Sequence, residues 1–357
     1  MAQFYPLTVV DATHDTRDSI VLTLQPPADA ADVFHFVQGQ YLTFRRDFDG
    51  EEIRRSYSIC AGVEDGALRV GVKRVEGGAF STWANETVKV GDTLDAMAPA
   101  GRFFVDLDPG AARRYLGFAG GSGVTPMISH VKTILAAEPQ ARFSLVYGNR
   151  NVASIMFREE LEDLKNRYMG RFDVTHILES DAADIELFTG RLDSEKCAAL
   201  FDRWIDVSSA DVAFICGPEP MMLAVRDALK ARGVADKAIK IELFSGAQQG
   251  RAKQRAASRG GDRAAASVSA TIILDGVARD VSMSADQSVL SAALEAKIDA
   301  PFACKGGVCS TCVARLVEGE VDMEANYALE DYEVERGSIL TCQSYPRTEK
   351  VVVSYDG

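Results

Sequence analysis

Pro301-Phe302-Ala303-Cys304-Lys305-Gly306-Gly307-Val308-Cys309-Ser310-Thr311-Cys312, answered across 29 residues by Cys342, decides how the chain is read. The spacing is C-x4-C-x2-C with a fourth, distant Cys, the ligand spacing of a plant-type [2Fe–2S] cluster. Two irons need four converging thiolates. Three come from one loop and the fourth from a distant strand, so the loop wraps the metal and the strand closes it. Gly306 and Gly307 can take φ > 0, which lets the backbone curl and aim N–H groups at sulfur. A zinc site usually shows two C-x2-C pairs or mixes Cys with His, and this chain has only 4 His. A disulfide framework suits short secreted domains. The chain has 7 Cys, which fits a reducing cytoplasm, and Cys60, Cys197 and Cys216 then need no partners.

A length of 357 residues predicts two or three domains, and 47% hydrophobic residues are ample for packed cores. No apolar run is long enough to span a membrane. Met1-Ala-Gln-Phe-Tyr-Pro6 lacks the basic and apolar regions of a signal peptide, so a cytoplasmic protein is expected. A net charge of −13 argues against a nucleic-acid partner. Residues 268–357 carry 15 acidic and 7 basic side chains. That excess reads either as solubility or as an acidic rim for docking an electron-transfer partner.

Residues 1–108 read as six short strands with regular turn punctuation, which predicts a small antiparallel β-barrel. Two groups in it carry chemistry. Along Arg55-Ser56-Tyr57-Ser58 the strand period puts Arg55 and Tyr57 on one face. A guanidinium grips a pyrophosphate bidentately, and a Tyr ring lies against a flat heterocycle. Further on, Val72-Lys73-Arg74-Val-Glu-Gly77-Gly78-Ala-Phe80-Ser81-Thr82 places a glycine pair and hydroxyls at a helix start, an anion cradle.

R-x-Y-S followed by G-G-x-F-S resembles the FAD site of the ferredoxin–NADP reductase family. The resemblance implies a six-stranded FAD barrel followed by a nucleotide domain. Arg55, Ser81 and Thr82 would hold the FAD pyrophosphate, with Ser56 in the same strand. Tyr57 and Ser58 would meet the isoalloxazine, and Val72 with Lys73 would lie near the ribityl and phosphate. Gly77, Gly78 and Phe80 complete the turn.

Residues 109–244 alternate strand and helix, which predicts an α/β, Rossmann-like parallel sheet. A strand at 114–119 enters Gly120-Gly121-Ser122-Gly123-Val124-Thr125-Pro126-Met127 and then a helix, the context a nucleotide loop needs. Pro126 fits the first helical turn, where its missing N–H goes unneeded. G-G-x-G-x-T-P is the reductase family's own version of the loop. The resemblance gives the pyrophosphate of the nucleotide to Gly121 and Gly123 and sets Thr125 beside the nicotinamide.

The next strand ends in Tyr147-Gly-Asn149-Arg150. An acid here would favour the ribose 2′-OH of NADH. Arg150 instead can meet a 2′-phosphate, which favours NADPH, or can stack on adenine in either cofactor. Cys216-Gly217-Pro218-Glu-Pro-Met221 follows another strand. A Cys at a strand end is often core filler, but C-G-P-x-x-M matches the family and implies a place near hydride transfer. The resemblance also puts Phe244 over the flavin ring and Glu242 on the nicotinamide side.

Residues 245–267, rich in Gly, Ala, Ser and Gln with five basic residues, read as a flexible linker. From 268 to 357 the pattern is a hairpin turning at Asp275-Gly276, a helix over 288–298 capped by Asp286 or Ser288, the cysteine loop, a strand over 313–317, a cysteine-bearing strand over 339–343 and a last strand from Val351. This is the α+β, β-grasp pattern of plant-type ferredoxins.

The parts form one sequence of carriers. A nicotinamide gives two electrons as hydride, a plant-type cluster takes one, and a flavin holds two and releases them singly. The expected catalytic residues are Ser58, Thr125, Cys216, Glu242 and Phe244, and the expected metal ligands are Cys304, Cys309, Cys312 and Cys342. No C-x-H pair or E-x-x-H motif marks an oxygen-activating metal in the chain. Over essentially its whole length the chain resembles reductase subunits of multicomponent di-iron oxygenases. The resemblance implies FAD, NADPH and a [2Fe–2S] cluster as cofactors, with the oxygenase subunits of a multicomponent di-iron epoxidase as partner. Two alternatives stand beside it: an NADH-using reductase of another aromatic-ring oxygenase, and a non-enzymatic ferredoxin-like carrier or redox sensor.

Overall fold

A computed structural model describes residues 3–181, 185–244, 267–329 and 331–356. The linker expected over 245–267 lies, apart from Ser267, outside the described residues. Tyr5–Ile53 and Tyr57–Phe244, which hold the parallel sheet and most of the barrel, form one compact unit, and the chain from Ser267 onward is grouped with Phe4 and Arg54–Ser56 in another.

The barrel is built from β1 (Tyr5–Thr16), β2 (Ser19–Gln25), β3 (Tyr41–Phe48), β4 (Glu51–Ser58), β5 (Leu68–Lys73) and β6 (Thr93–Ala96). In β1, Leu7 and Val9 are buried while Thr8 and Val10 face out, the period-2 signature of a sheet wetted on one side. The order is β4-β3-β6-β1-β2-β5. A bridge from Ile59 to Val70 joins the two edges, and Cys60 N–H donates to the Arg69 carbonyl at 2.9 Å. Helix α1 (Ala79–Glu86) starts directly after Gly77-Gly78.

The second sheet is parallel: β7 (Arg114–Gly120), β8 (Arg142–Asn149), β9 (Phe172–Leu178), β10 (Val212–Gly217) and β11 (Ile239–Leu243), in the order β11-β10-β7-β8-β9. All residues of β7 after Arg114 are buried, as expected of a strand covered on both faces. The crossover helices are α2 (Val124–Ala137), α3 (Arg158–Arg167), α4 (Ser194–Arg203) and α5 (Glu219–Ala231). Strand β9 and helix α4 had no separate reading in the sequence. The chain runs outward from β7 to β9 and then returns to β10 on the other side of β7. That reversal leaves a crevice between the carboxyl ends of β7 and β10, where such sheets bind ligands. Val21, Cys60 and Phe103 of the first 108 residues share one buried core with Val124, Met127, Phe143 and Cys216.

The last unit holds a five-stranded sheet, β12 (Ser267–Leu274), β13 (Val277–Ser284), β14 (Val313–Glu318), β16 (Ser338–Leu340) and β18 (Lys350–Ser354), ordered β13-β12-β18-β14-β16. β12 and β18 run parallel. A short ribbon pairs β15 (Val321–Met323) with β17 (Ser344–Pro346). The hairpin turn puts Asp275 at φ 55° and Gly276 at φ 73°, the left-handed pair that a two-residue turn requires. Ser288 caps the helix Val289–Glu295, its Oγ accepting from Ser291 N–H at 3.2 Å.

Two details differ from the sequence reading. That helix ends at Glu295 rather than 298, because Lys297 turns the chain with φ 59°. Cys342 is not on a strand: β16 stops at Leu340, and Gln343 N–H closes a turn onto the Leu340 carbonyl at 2.8 Å. In the cysteine loop the positive φ angles fall on Lys305 (52°), Gly307 (77°) and Ser310 (49°), and Gly306 has none.

Candidate functional site

The crevice between β7 and β10 is made by two turns pressed together. A Cβ on Gly120 would stand 2.6 Å from Pro218 Cδ and 2.8 Å from Met221 Sδ. One on Gly123 would stand 2.1 Å from the Cys216 carbonyl oxygen, and one on Gly217 2.9 Å from Gly120 N. These glycines allow an approach that no side chain would permit. Gly121, at φ 53°, turns the chain ahead of α2. Thr125 is buried in the first turn of α2, its hydroxyl donating to the Ser122 carbonyl at 2.9 Å, and Pro126 follows it.

Cys216 is fully buried and lies opposite Glu242 in the β10–β11 register. Burial drives its thiol well above the ordinary range, and the Glu242 charge adds to the effect. Glu242 is half-buried, and Ser58 Oγ donates to its Oε2 at 3.2 Å. Burial pushes the Glu242 carboxyl up to about 8 despite that bond. Phe244 is half-buried against the same core as Cys216. Ser58, Cys216 and Glu242, widely separated in the chain, therefore form one group.

Asn149 closes β8 and is buried, whereas Arg150 is exposed. The Arg150 carbonyl accepts from Ser180 N–H at 2.8 Å and Ser180 Oγ at 3.2 Å, which fixes the turn. Lys73 Nζ lies 3.9 Å from Asp18 Oδ2. Burial lowers the Lys73 pKa, Asp18 opposes that, and the Arg150 charge lowers it further.

Along β4, Arg55 donates to the Arg54 carbonyl at 2.7 Å, Ser56 follows, and the Tyr57 ring sits 5.6 Å from that of Phe80. Gly77 is at φ 71°. Gly78 is the N-cap of α1, where a Cβ would crowd Ser81 Oγ at 2.7 Å. Ser81 Oγ accepts from Val75 N–H at 3.1 Å and donates to the Gly78 carbonyl at 3.2 Å, so that hydroxyl shapes the turn itself. Thr82 stands next to it in the same helical turn. Asn85, which the sequence did not single out, is buried behind them and donates to the Val72 and Ser81 carbonyls at 3.0 and 2.8 Å. A glycine-bracketed helix start with first-turn N–H groups suits the phosphates of a dinucleotide, so these residues fit FAD.

Cys304, Cys309, Cys312 and Cys342 are all buried and carry no disulfide. The Cys304 thiol neighbours those of Cys309 and Cys342, and the Cys312 thiol neighbours that of Cys342. The Cys309 and Cys342 thiols, with the Gly306 and Val308 N–H groups, hold the Cys304 thiol well below its ordinary range. The Gly306 N–H to Cys304 Sγ distance is 3.3 Å. Thr341 N–H and Oγ1 both donate to the Cys312 carbonyl, at 3.2 and 2.9 Å, tying the loop to the fourth cysteine. Four buried thiols with N–H groups on sulfur are the donor set a [2Fe–2S] cluster takes, so the residues fit.

Barrel, parallel sheet and cysteine-bearing β-grasp fold define an oxidoreductase with FAD, pyridine-nucleotide and iron–sulfur domains. Family models agree: an oxidoreductase FAD-binding domain matches residues 6–105, an oxidoreductase NAD-binding domain 118–227 and a 2Fe-2S iron-sulfur cluster binding domain 272–347. The chain is 41% identical to one of the subunits of 1,2-phenylacetyl-CoA epoxidase from Escherichia coli, over 100% of this chain and 99% of that one. It is 34% identical to the ferredoxin reductase component of 3-ketosteroid-9-alpha-monooxygenase from Mycobacterium tuberculosis, over 98% and 94% of the two chains. The chain belongs to the ferredoxin–NADP reductase family, in the branch that carries a 2Fe-2S domain after the nucleotide domain.

Among solved structures, phthalate dioxygenase reductase shares the fold with a TM-score of 0.60 at 23% identity, covering 98% of both chains. An intact type IV self-sufficient cytochrome P450 monooxygenase matches with a TM-score of 0.70 at 23% identity, over 98% of this chain and 41% of that one.

Proposed function

We propose that this protein is the NADPH-dependent reductase of a phenylacetyl-CoA 1,2-epoxidase, delivering single electrons to separate di-iron oxygenase subunits in aerobic phenylacetate breakdown. The observation that carries the reading is the whole-length similarity to the Escherichia coli protein, ferredoxin domain last. When bound, the flavin takes hydride from the nicotinamide and passes its electrons singly to the cluster.

The chain divides into an FAD-binding barrel over 1–108, a nucleotide domain over 109–244, a linker over 245–267 and a ferredoxin domain over 268–357. Arg55, Ser56, Gly77, Gly78, Phe80, Ser81 and Thr82 hold the FAD phosphates, while Tyr57, Ser58, Val72 and Lys73 line the flavin. Gly121, Gly123, Pro126, Gly217, Pro218 and Met221 shape the nicotinamide crevice, which Thr125, Cys216, Glu242 and Phe244 border. Asn149 and Arg150 take the adenosine end, with Arg150 on the 2′-phosphate. Cys304, Cys309, Cys312 and Cys342 ligate the cluster. The free thiols this requires suit the cytoplasm.

The protein's part would be to bind and orient: Ser58, Thr125, Cys216, Glu242 and Phe244 would hold the nicotinamide against the flavin and keep water out. Reconstitution with the partner subunits tests the acceptor. Ring epoxidation of phenylacetyl-CoA at the expense of NADPH is the expected result. Turnover only with a dioxygenase, or only with NADH, would move the protein to another oxygenase system.

A further inference from the structure

Gly71 lies in β5, where the barrel meets the nucleotide sheet. It is buried, and it is not among the glycines at positive φ, so backbone freedom does not explain it. Space does. A Cβ at this position would stand 2.8 Å from Thr125 Cγ2, 3.2 Å from Phe157 Cζ and 3.3 Å from Met156 Cε. Carbon atoms rest at about 3.5–4.0 Å, so the strand has come as close to these three side chains as a bare backbone allows.

Thr125 is the nearest of the three and the one whose side chain is tied down, whereas Met156 Cε is the end of a flexible chain that can shift. The Thr125 hydroxyl is held by the Ser122 carbonyl at 2.9 Å. Behind it, Gly123 is pressed onto the Cys216 carbonyl. Met156 N–H donates to Tyr147 Oη at 3.2 Å, and that hydroxyl donates to the Gly121 carbonyl at 3.0 Å. Phe157 N–H donates to both carboxylate oxygens of Asp15 in β1, at 3.1 and 2.9 Å. The contacts close a ring: β5, Thr125, the Gly121–Gly123 turn, Tyr147, Met156-Phe157, Asp15 and back to the barrel. Asp15 and Phe157 are 142 positions apart.

We propose that Gly71 is a positioning residue for hydride transfer: its missing side chain sets how closely the nicotinamide turn at Thr125 approaches the barrel strand that continues into Val72-Lys73. This rests on the reading above, in which Thr125 borders the nicotinamide and Val72-Lys73 border the flavin. Gly71 touches neither cofactor. It acts through the Thr125 methyl, which is the group its side chain would displace.

The test uses the full chain, loaded with FAD and cluster, in three forms: Gly71→Ala, Thr125→Ser and both together. Serine keeps the hydroxyl bond to Ser122 and removes the methyl that the new Cβ would strike. Anaerobic rapid mixing with NADPH reads the limiting rate of flavin bleaching, the nucleotide Kd and the long-wavelength charge-transfer absorbance. Gly71→Ala is expected to lower the limiting rate by about 10–100-fold, since a misplacement near 1 Å costs that order. The Kd should stay within about 3-fold and the charge-transfer band should weaken, because binding contacts remain while alignment is lost. Adding Thr125→Ser should recover most of the rate. Thermal melts supply a reading independent of turnover: Gly71→Ala lowers Tm by a few degrees, and Thr125→Ser in the same chain returns part of it. Effects that simply add in the double variant, or a wild-type limiting rate in Gly71→Ala, would overturn the proposal. A wild-type flavin that neither NADPH nor NADH bleaches would instead remove the functional reading itself.

Discussion

Ser58 Oγ donates to Glu242 Oε2 at 3.2 Å, joining the last residue of β4 to β11 across 184 positions of sequence. The bond favours the charged carboxylate, yet burial is the larger influence and the group titrates at about 8. At neutral pH Glu242 is therefore mostly protonated. It can donate as well as accept a hydrogen bond at the crevice where Cys216 lies opposite it.

The Glu242 titration sets the first prediction. The unfolded carboxyl titrates near 4.5 and the folded one near 8, so between those values the folded chain binds more protons than the unfolded one. Stability must then fall as pH rises from about 4.5 to 8, and this contribution levels off above that. Glu242→Gln keeps the shape and removes the titration. Its Tm should gain steadily on the wild type between pH 5 and pH 9, and its flavin-reduction rate should lose any inflection near pH 8. A constant Tm difference across that range would show that Glu242 titrates as an ordinary carboxylate.

In the proposed reading Arg150 sets the nucleotide preference. It is exposed at the end of β8, with its carbonyl rather than its guanidinium tied down by Ser180. A charge-assisted bond to a 2′-phosphate is worth about 1.5–3 kcal/mol, so Arg150→Ala should weaken NADPH binding by about 10–100-fold. NADH, which lacks that phosphate, should change by less than about 3-fold. Kd values from titration of the oxidised protein decide it. Equal losses for both nucleotides would mean that Arg150 stacks on adenine.

Much of this was legible because the chemistry is local. The C-x4-C-x2-C run, the glycine turns at Gly77-Gly78 and Gly120-Gly121, and the Asp275-Gly276 hairpin each lie within a dozen residues. Their physical demands, φ > 0 or close backbone approach, single out a residue type. What escaped was either non-local or degenerate. Asp15 is one acid among many until the fold brings it to Phe157 N–H, and Gly71 reads as an ordinary small residue in a strand until Thr125 is set against it. Of the two loop glycines that can take φ > 0 only Gly307 does so; Lys305 takes the other left-handed angle, and a lysine gives no sequence signal of that. Cys342 was read as strand because Ile339-Leu340 is apolar, but its neighbours' hydrogen bonds go to Cys312 and Leu340 in a turn.

The two electron-carrying units should be separable by one atom. Cys309 is buried beside Cys304, and the family's cluster takes four thiolates. Cys309→Ser should remove the cluster's absorbance and abolish reduction of one-electron acceptors such as cytochrome c. Bleaching of the flavin by NADPH should continue at near the wild-type rate, because the nucleotide crevice lies in the other unit. Loss of flavin reduction as well would show that the barrel depends on an intact ferredoxin unit.

Gly307 and Gly276 distinguish crowding from backbone strain in the same unit. Both have positive φ, 77° and 73°, so alanine pays a similar conformational penalty at each, about 1–2 kcal/mol. Their surroundings differ. A Cβ on Gly276 would meet nothing within 4 Å, whereas one on Gly307 would stand 2.7 Å from the Ala325 carbonyl oxygen and 3.0 Å from Gln343 Cγ. Gln343, beside Thr341, also ties the loop to the fourth cysteine, donating from Nε2 to the Lys305 and Cys342 carbonyls at 3.0 Å each. Gly307→Ala should therefore displace that link and lower bound iron by half or more, read as iron per chain and visible absorbance. Gly276→Ala should melt a few degrees earlier yet keep its full complement of iron. Equal iron content in the two variants would mean that the loop yields at Gln343 without disturbing the thiolates.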